Sequence, residues 1–192
     1  PFFIYDYMIT YVRNTQPTDT NIISLINLKN FLKVDTTDDD TLIQALLSTA
    51  RAYVEDYTGV LCNSGTVTFY AESFKAFRFS AGPVTTLGDV AYKTDSTTYT
   101  ALATTYIGVS FNSIPQRIEF YSPPTPYANT LERVKVRTTA GYNEAAVPDP
   151  LVQAMRLLVG HWYEQRTQVI VGTITAQIPL GIHALLNPYR IL

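Results

Sequence analysis

The chain is 192 residues long, enough for one ordinary domain or for one domain carrying an insertion. Apolar residues make up 46% and aromatic residues 12%, which excludes a chain that is disordered throughout. Charged residues are only 16% and the net charge is −2, so neither a nucleic-acid grip built on phosphate neutralisation nor a basic membrane-surface patch is expected.

Residues 1–21 open with Phe2, Phe3, Tyr5 and Tyr7 and end in a polar stretch around Pro17. Asp6 interrupts the apolar start, and no basic leader precedes it, unlike a signal peptide. No periodicity folds this segment alone. Two readings stand open: an N-terminal arm that packs on a neighbour, and a strand of the chain's own sheet.

A short helix is expected near 25–33, with Ser24 as its cap and Leu25, Leu28, Phe31 and Leu32 on one face. A longer helix is expected over 39–58. Its apolar face is Leu42, Ile43, Leu46, Leu47, Ala50, Tyr53, Val54 and Tyr57, and Gln44, Ser48, Arg51 and Glu55 form the opposite stripe. Gly59 fits a left-handed cap. Asp38, Asp39 and Asp40 lack the glycine and closing glutamate of a calcium loop, and are read as acidic residues that complement the helix dipole.

Between about 66 and 140 the composition turns to Thr, Tyr, Phe and Val, with turn residues every eight to twelve positions. Strands are expected near 66–71, 76–80, 87–93, 98–102, 105–109, 116–121 and 132–139. Pro123, Pro124 and Pro126 remove ladder donors, so that stretch must be a loop. Arg133, Lys135 and Arg137 alternate with Val134 and Val136, which puts three cations on one strand face. That face either contacts DNA or an acidic partner, or is a solvated face over a valine core.

Helix returns over 150–166, with Asp149 as the expected N-cap and Pro150 at the first helical position. It is apolar nearly all round, so it should be central, and Gly160 suggests a second backbone close by. Residues 169–174 read as extended, and 180–186 as a last short helix. The fold class is therefore α+β: a small helical bundle from 22–61 and 146–192, with an antiparallel β domain inserted at 62–145 and an arm at 1–21.

The search for chemistry finds little. His161 and Glu164 are half of a helical metal site whose second half is missing. Cys62 is the single cysteine, which excludes an intrachain disulfide and fits a reducing compartment; it is read as a buried small residue. No phosphate loop, dinucleotide fingerprint or nucleophile elbow is present. No run approaches the length of a membrane span. No catalytic residue, cofactor or metal is expected.

The segments Ser24-Leu25, Phe31 to Asp35, Asp38 to Ile43, Ala50-Arg51 and Val54 to Gly59 resemble the opening of bacteriophage head–tail connector proteins, also called adaptor or DNA-packaging connectors. Thr139 to Tyr142, Val147-Pro148, His161 to Glu164 with Arg166, Ile178 to Ile182 and Ala184 to Arg190 resemble that family's second half. The likeness covers about 24–61 and 138–191. The β insertion matches in general character alone, and 1–21 do not match.

The resemblance implies a non-enzymatic virion protein, made in the host cytoplasm and placed in the neck between capsid and tail. Identical subunits would form a ring, commonly about twelve-fold. The ring would join the portal protein to a downstream connector or tail protein, with DNA passing through unbound. It further implies that the C-terminal segment reaches the portal, with Ile182, Leu185, Leu186, Pro188, Tyr189 and Arg190 as contact candidates. Phe2, Phe3, Tyr5, Tyr7, Arg133, Lys135 and Arg137 are candidates for contact with a neighbouring subunit or another partner. A ring gives each subunit two different covered faces, which suits a chain this poor in charge. Two other classes fit the residues alone: a monomeric β-sandwich binding module, and a small hydrolase assembled by folding.

Overall fold

A computed structural model describes residues 10–15, 22–113, 115–143, 146–165 and 180–191. The chain forms two compact units. Among the described residues, the β unit takes in 10–15, 64–141 and 191, and the helical unit takes in 22–63 and 142–190. The fold class is α+β.

The β unit holds a five-stranded sheet in the order β1 (Thr10–Arg13), β2 (Gly65–Ala71), β8 (Val134–Ala140), β4 (Val84–Lys93), β5 (Tyr99–Ala101). A three-stranded sheet has the order β3 (Phe77–Arg78), β7 (Arg117–Phe120), β6 (Ile107–Ser110). Every pairing is antiparallel. Alternation on β8 sends Val134, Val136, Thr138 and Ala140 inward. Facing residues Phe69 on β2 and Val90 on β4 complete that layer. An aromatic chain closes the core: Phe69 and Phe79 lie 4.9 Å apart, Phe77 and Phe79 5.6 Å, and Phe74 and Phe120 5.0 Å.

Several strand limits differ from expectation, for local reasons. Thr10–Arg13, expected within an arm, takes the strand reading and pairs with β2. The strand expected from residue 105 is preceded by a 3-10 turn over Thr104–Tyr106. The strand expected at 76–80 shrinks to Phe77–Arg78. β4 starts earlier than expected because Val84 pairs with Ala140 of β8, and this end is also held by the Gln116 side chain. Its Oε1 accepts from the Val84 N–H at 2.5 Å, and its Nε2 donates to the Val84 carbonyl at 2.9 Å. The β4–β5 hairpin turn is held by Asp95, whose Oδ1 accepts from the N–H groups of Thr97 and Thr98 at 2.8 and 2.7 Å. Those two bonds draw its carboxyl down to about 2.

The helical unit contains α1 (Leu25–Leu32), α2 (Asp40–Thr58), α3 (Asp149–Glu164) and α4 (Leu180–Leu186). Ser24 caps α1 by accepting from the Asn27 N–H at 3.3 Å. Gly59 closes α2 at φ 74°, and its N–H returns to the Glu55 carbonyl at 2.8 Å. Lys29 of α1 pairs with Asp40 of α2 at 2.6 Å, and Tyr163 of α3 donates to Asp39 at 2.6 Å. The core is Leu28, Ile43, Leu47, Val54, Leu151, Met155, Leu158, Ile182 and Leu186, with Ala50 and Ala154 where helices approach. Tyr142 donates its N–H to the Leu61 carbonyl at 3.0 Å, so the two ends of the β insertion lie side by side.

Three helical expectations are corrected. The N-cap position of α3 is Pro148, and Asp149 is already in the first turn. Among the described residues, Gly160 meets side chains and no second backbone: a Cβ there would lie 3.4 Å from Phe31 Cε1 and 3.8 Å from Leu32 Cδ2, so it makes room for α1 side chains. Arg51 and Glu55, expected on the outer stripe of α2, are buried. They neutralise each other, and Glu55 also accepts from the Cys62 N–H at 2.8 Å. Residues 169–174, expected to be extended, lie outside the described residues.

Candidate functional site

The C-terminal segment is built on α4 and the 3-10 turn Asn187–Tyr189. One turn apart, Ile182 and Leu186 point into the helical core and are fully buried. They anchor the segment and leave nothing for an external partner. Leu185 is half-buried, and Pro188 and Arg190 are exposed. Tyr189 is half-buried and lies close enough to Tyr142 to raise that phenol, after burial itself, which is the larger cause. The contact group expected from the resemblance therefore splits into two anchors and four outward or half-outward residues.

Tyr57 on α2, which sequence reasoning treated as one more apolar-face residue, meets this segment three times. Its hydroxyl donates to Asn187 Oδ1 at 2.7 Å. Its ring centroid lies 5.1 Å from that of His183. The Arg190 guanidinium sits over the ring, 5.2 Å from its centroid. Tyr53, one turn back, stacks on Tyr57 at 6.2 Å and meets Trp162 edge-on at 6.5 Å. The four-residue spacing of Tyr53 and Tyr57 was the one available sequence signal for this stack.

The second candidate surface is the outer face of β8. Arg133 donates to the Thr130 carbonyl at 3.0 Å and lies 3.7 Å from Glu72. Lys135 sits over the Tyr99 ring at 4.7 Å, and Lys93 lies 5.4 Å from the same centroid. Arg137 pairs with Asp89 at 3.0 Å. Tyr99 donates to the Glu132 carbonyl at 2.5 Å. Burial, then the charges of Glu132, Tyr70 and Glu72, push its phenol up to about 12. Each of the three cations thus has an acidic or aromatic companion in the same unit, and the alternate residues Val134 and Val136 are in the core. Phe2, Phe3, Tyr5 and Tyr7 lie outside the described residues.

Among the described residues, no group of three or more His, Cys, Asp and Glu could hold a metal ion. Cys62 is buried. Among the same residues no helix is long and apolar enough to cross a membrane.

The described residues thus form an α+β fold of one helical and one β unit, with an exposed C-terminal turn. Residues 21–192 match the family model described as Head completion protein, and the chain belongs to that family. It is a structural protein of the virion, a head–tail connector subunit. No curated protein matches it. Among solved structures, it is similar to a chain in the neck of an empty GTA particle computed with C6 symmetry. The TM-score is 0.77 at 22% identity, over 95% of this chain and 96% of that one. A chain in the neck of a native GTA particle computed with C12 symmetry gives TM-score 0.75 at 22% identity, over 95% and 96%. A chain in the virion of a native gene transfer agent particle gives 0.73 at 22%, over 95% of both. At this identity the likeness carries the fold.

Proposed function

We propose that the chain is one wall segment of a closed ring in the particle neck, which joins the portal protein to the next connector or tail component. DNA passes through the ring without specific binding, and the chain itself performs no catalysis. The observation that carries this reading is the family match across 21–192, which takes in the helices on both sides of the β insertion. Similarity to neck chains from six-fold and twelve-fold reconstructions supports a ring of about twelve copies. A closed ring is a heterologous assembly, in which each subunit covers one face with its left neighbour and another with its right. Acidic partners beside Arg133 and Arg137 lower the net positive charge of the β8 face, which supports a wall along which DNA slides.

Within this reading, Leu185, Pro188, Tyr189 and Arg190 meet the portal, and Phe2, Phe3, Tyr5 and Tyr7 pack on the adjacent copy. The test is a solution mass measurement of the purified chain with and without portal particles. The expected result is a closed ring, alone or on the portal. A monomer that ignores the portal contradicts the proposal.

A further inference from the structure

We infer that Tyr57 is a positioning residue for the portal contact, holding the Arg190 guanidinium over its ring so that the outward N–H groups meet an acidic group on the portal protein. The inference rests on the reading that the C-terminal segment meets the portal, and adds the chemistry of that contact and the residue that prepares it.

Three observations carry it. Tyr57 spends both its hydroxyl and its ring on residues of the C-terminal segment, Asn187 and Arg190, with His183 against the same ring. Asn187 opens the 3-10 turn and Arg190 follows it, so these contacts fix both ends of the turn that displays Pro188. Arg190 itself is exposed. An arginine held over an aromatic face by cation–π attraction gives none of its five N–H donors to that ring, so the fork can still receive a carboxylate. This contact also restricts the side chain before binding, where an unsupported arginine would lose that rotamer freedom on binding. The anchor residues Ile182 and Leu186 are buried, so the segment is held in place even where Tyr57 is changed.

The experiment measures affinity for the portal particle, with circular dichroism and unfolding temperature as controls. Deleting residues 188–192 should abolish attachment. Tyr57→Leu and Arg190→Ala should each weaken binding about tenfold, and Arg190→Lys, which keeps the charge but loses the fork, should lose most of that. Tyr57→Phe keeps the ring and should lose about threefold. The decisive reading is the double variant: Tyr57→Leu with Arg190→Ala should be no weaker than either alone, because both break one device. A merely structural role for Tyr57 would make the two losses add, and that result overturns the inference. So does a folded Tyr57→Leu protein that binds like wild type. Should Tyr57→Leu fail to fold, the exposed Arg190 carries the test, and undiminished binding by Arg190→Ala overturns the inference. If the deletion abolishes attachment while Arg190→Ala and Tyr57→Leu leave it intact, this inference alone fails. If the deletion leaves attachment intact, the portal reading of the segment fails, and this inference with it.

Discussion

Arg51 and Glu55, one helical turn apart on α2, form an ion pair at 2.5 Å inside the helical unit, with side-chain exposures of 9% and 8%. The second carboxylate oxygen of Glu55 accepts from the Cys62 N–H. Glu55 therefore ties the end of α2 to the chain that leaves it, and its charge is tolerable because Arg51 answers it.

Removing one member takes a close opposite charge away from a buried ionic group. Glu55→Ala should cost about 3–5 kcal/mol of unfolding free energy. Replacing both, as Arg51→Met with Glu55→Leu, should recover a large part of that loss. Urea unfolding monitored by circular dichroism measures both. A loss below about 1 kcal/mol for the single variant would show that the pair carries little.

Gly88 and Gly108 look alike in sequence, and the structure separates them. A Cβ at Gly88 would sit 2.9 Å from the backbone carbonyl oxygen of Arg137, in the bulged part of β4. Gly88→Ala must move backbone and should cost about 1–3 kcal/mol. At Gly108 the clash is with the end of the Tyr121 side chain, the hydroxyl at 2.6 Å and ring Cε2 at 2.7 Å, and Tyr121 is 56% exposed. Gly108→Ala should swing Tyr121 aside and cost under about 1 kcal/mol. Equal losses at the two sites would refute the distinction.

Tyr99 should titrate late. Its folded value is about 12 against an ordinary 10.0, so the fold favours the neutral phenol. The associated stability is complete below pH 10, the unfolded value, and fades as pH rises through the folded value near 12. An ultraviolet titration should show a late tyrosinate component that disappears in Tyr99→Phe. A wild-type curve with no component above the ordinary range would contradict this.

Arg137 and Asp89 are 50% and 46% exposed, so their pair is well screened. Arg137→Ala should change stability by less than about 1 kcal/mol. DNA packaging by particles carrying Arg137→Ala should match wild type, since this cation is already engaged within the sheet. A packaging defect in a folded variant would mean that the β8 face does touch DNA.

The helices were legible because their signals are local. Ser24 and Gly59 mark two ends, and leucines three and four apart mark the faces between. What was not legible depends on distant partners. Thr10–Arg13 is short, and only its pairing with β2 makes it a strand. Arg51 and Glu55 were placed outside because polar spacing cannot show that two charges cancel and that one also receives the Cys62 N–H. Ile182 and Leu186 were grouped with portal contacts through the family resemblance, and their spacing could not correct it, since an apolar pair four apart looks the same whether it packs on its own core or on a partner. Tyr57 was overlooked because its partner Asn187 is 130 positions away.

The most direct test is an electron cryo-microscopy reconstruction of the neck of particles that carry this chain. Identical copies should stand side by side as a closed ring between head and tail, with each Arg190 turned toward the portal. A neck that lacks the chain, or holds it as a single unrepeated copy, would contradict the account.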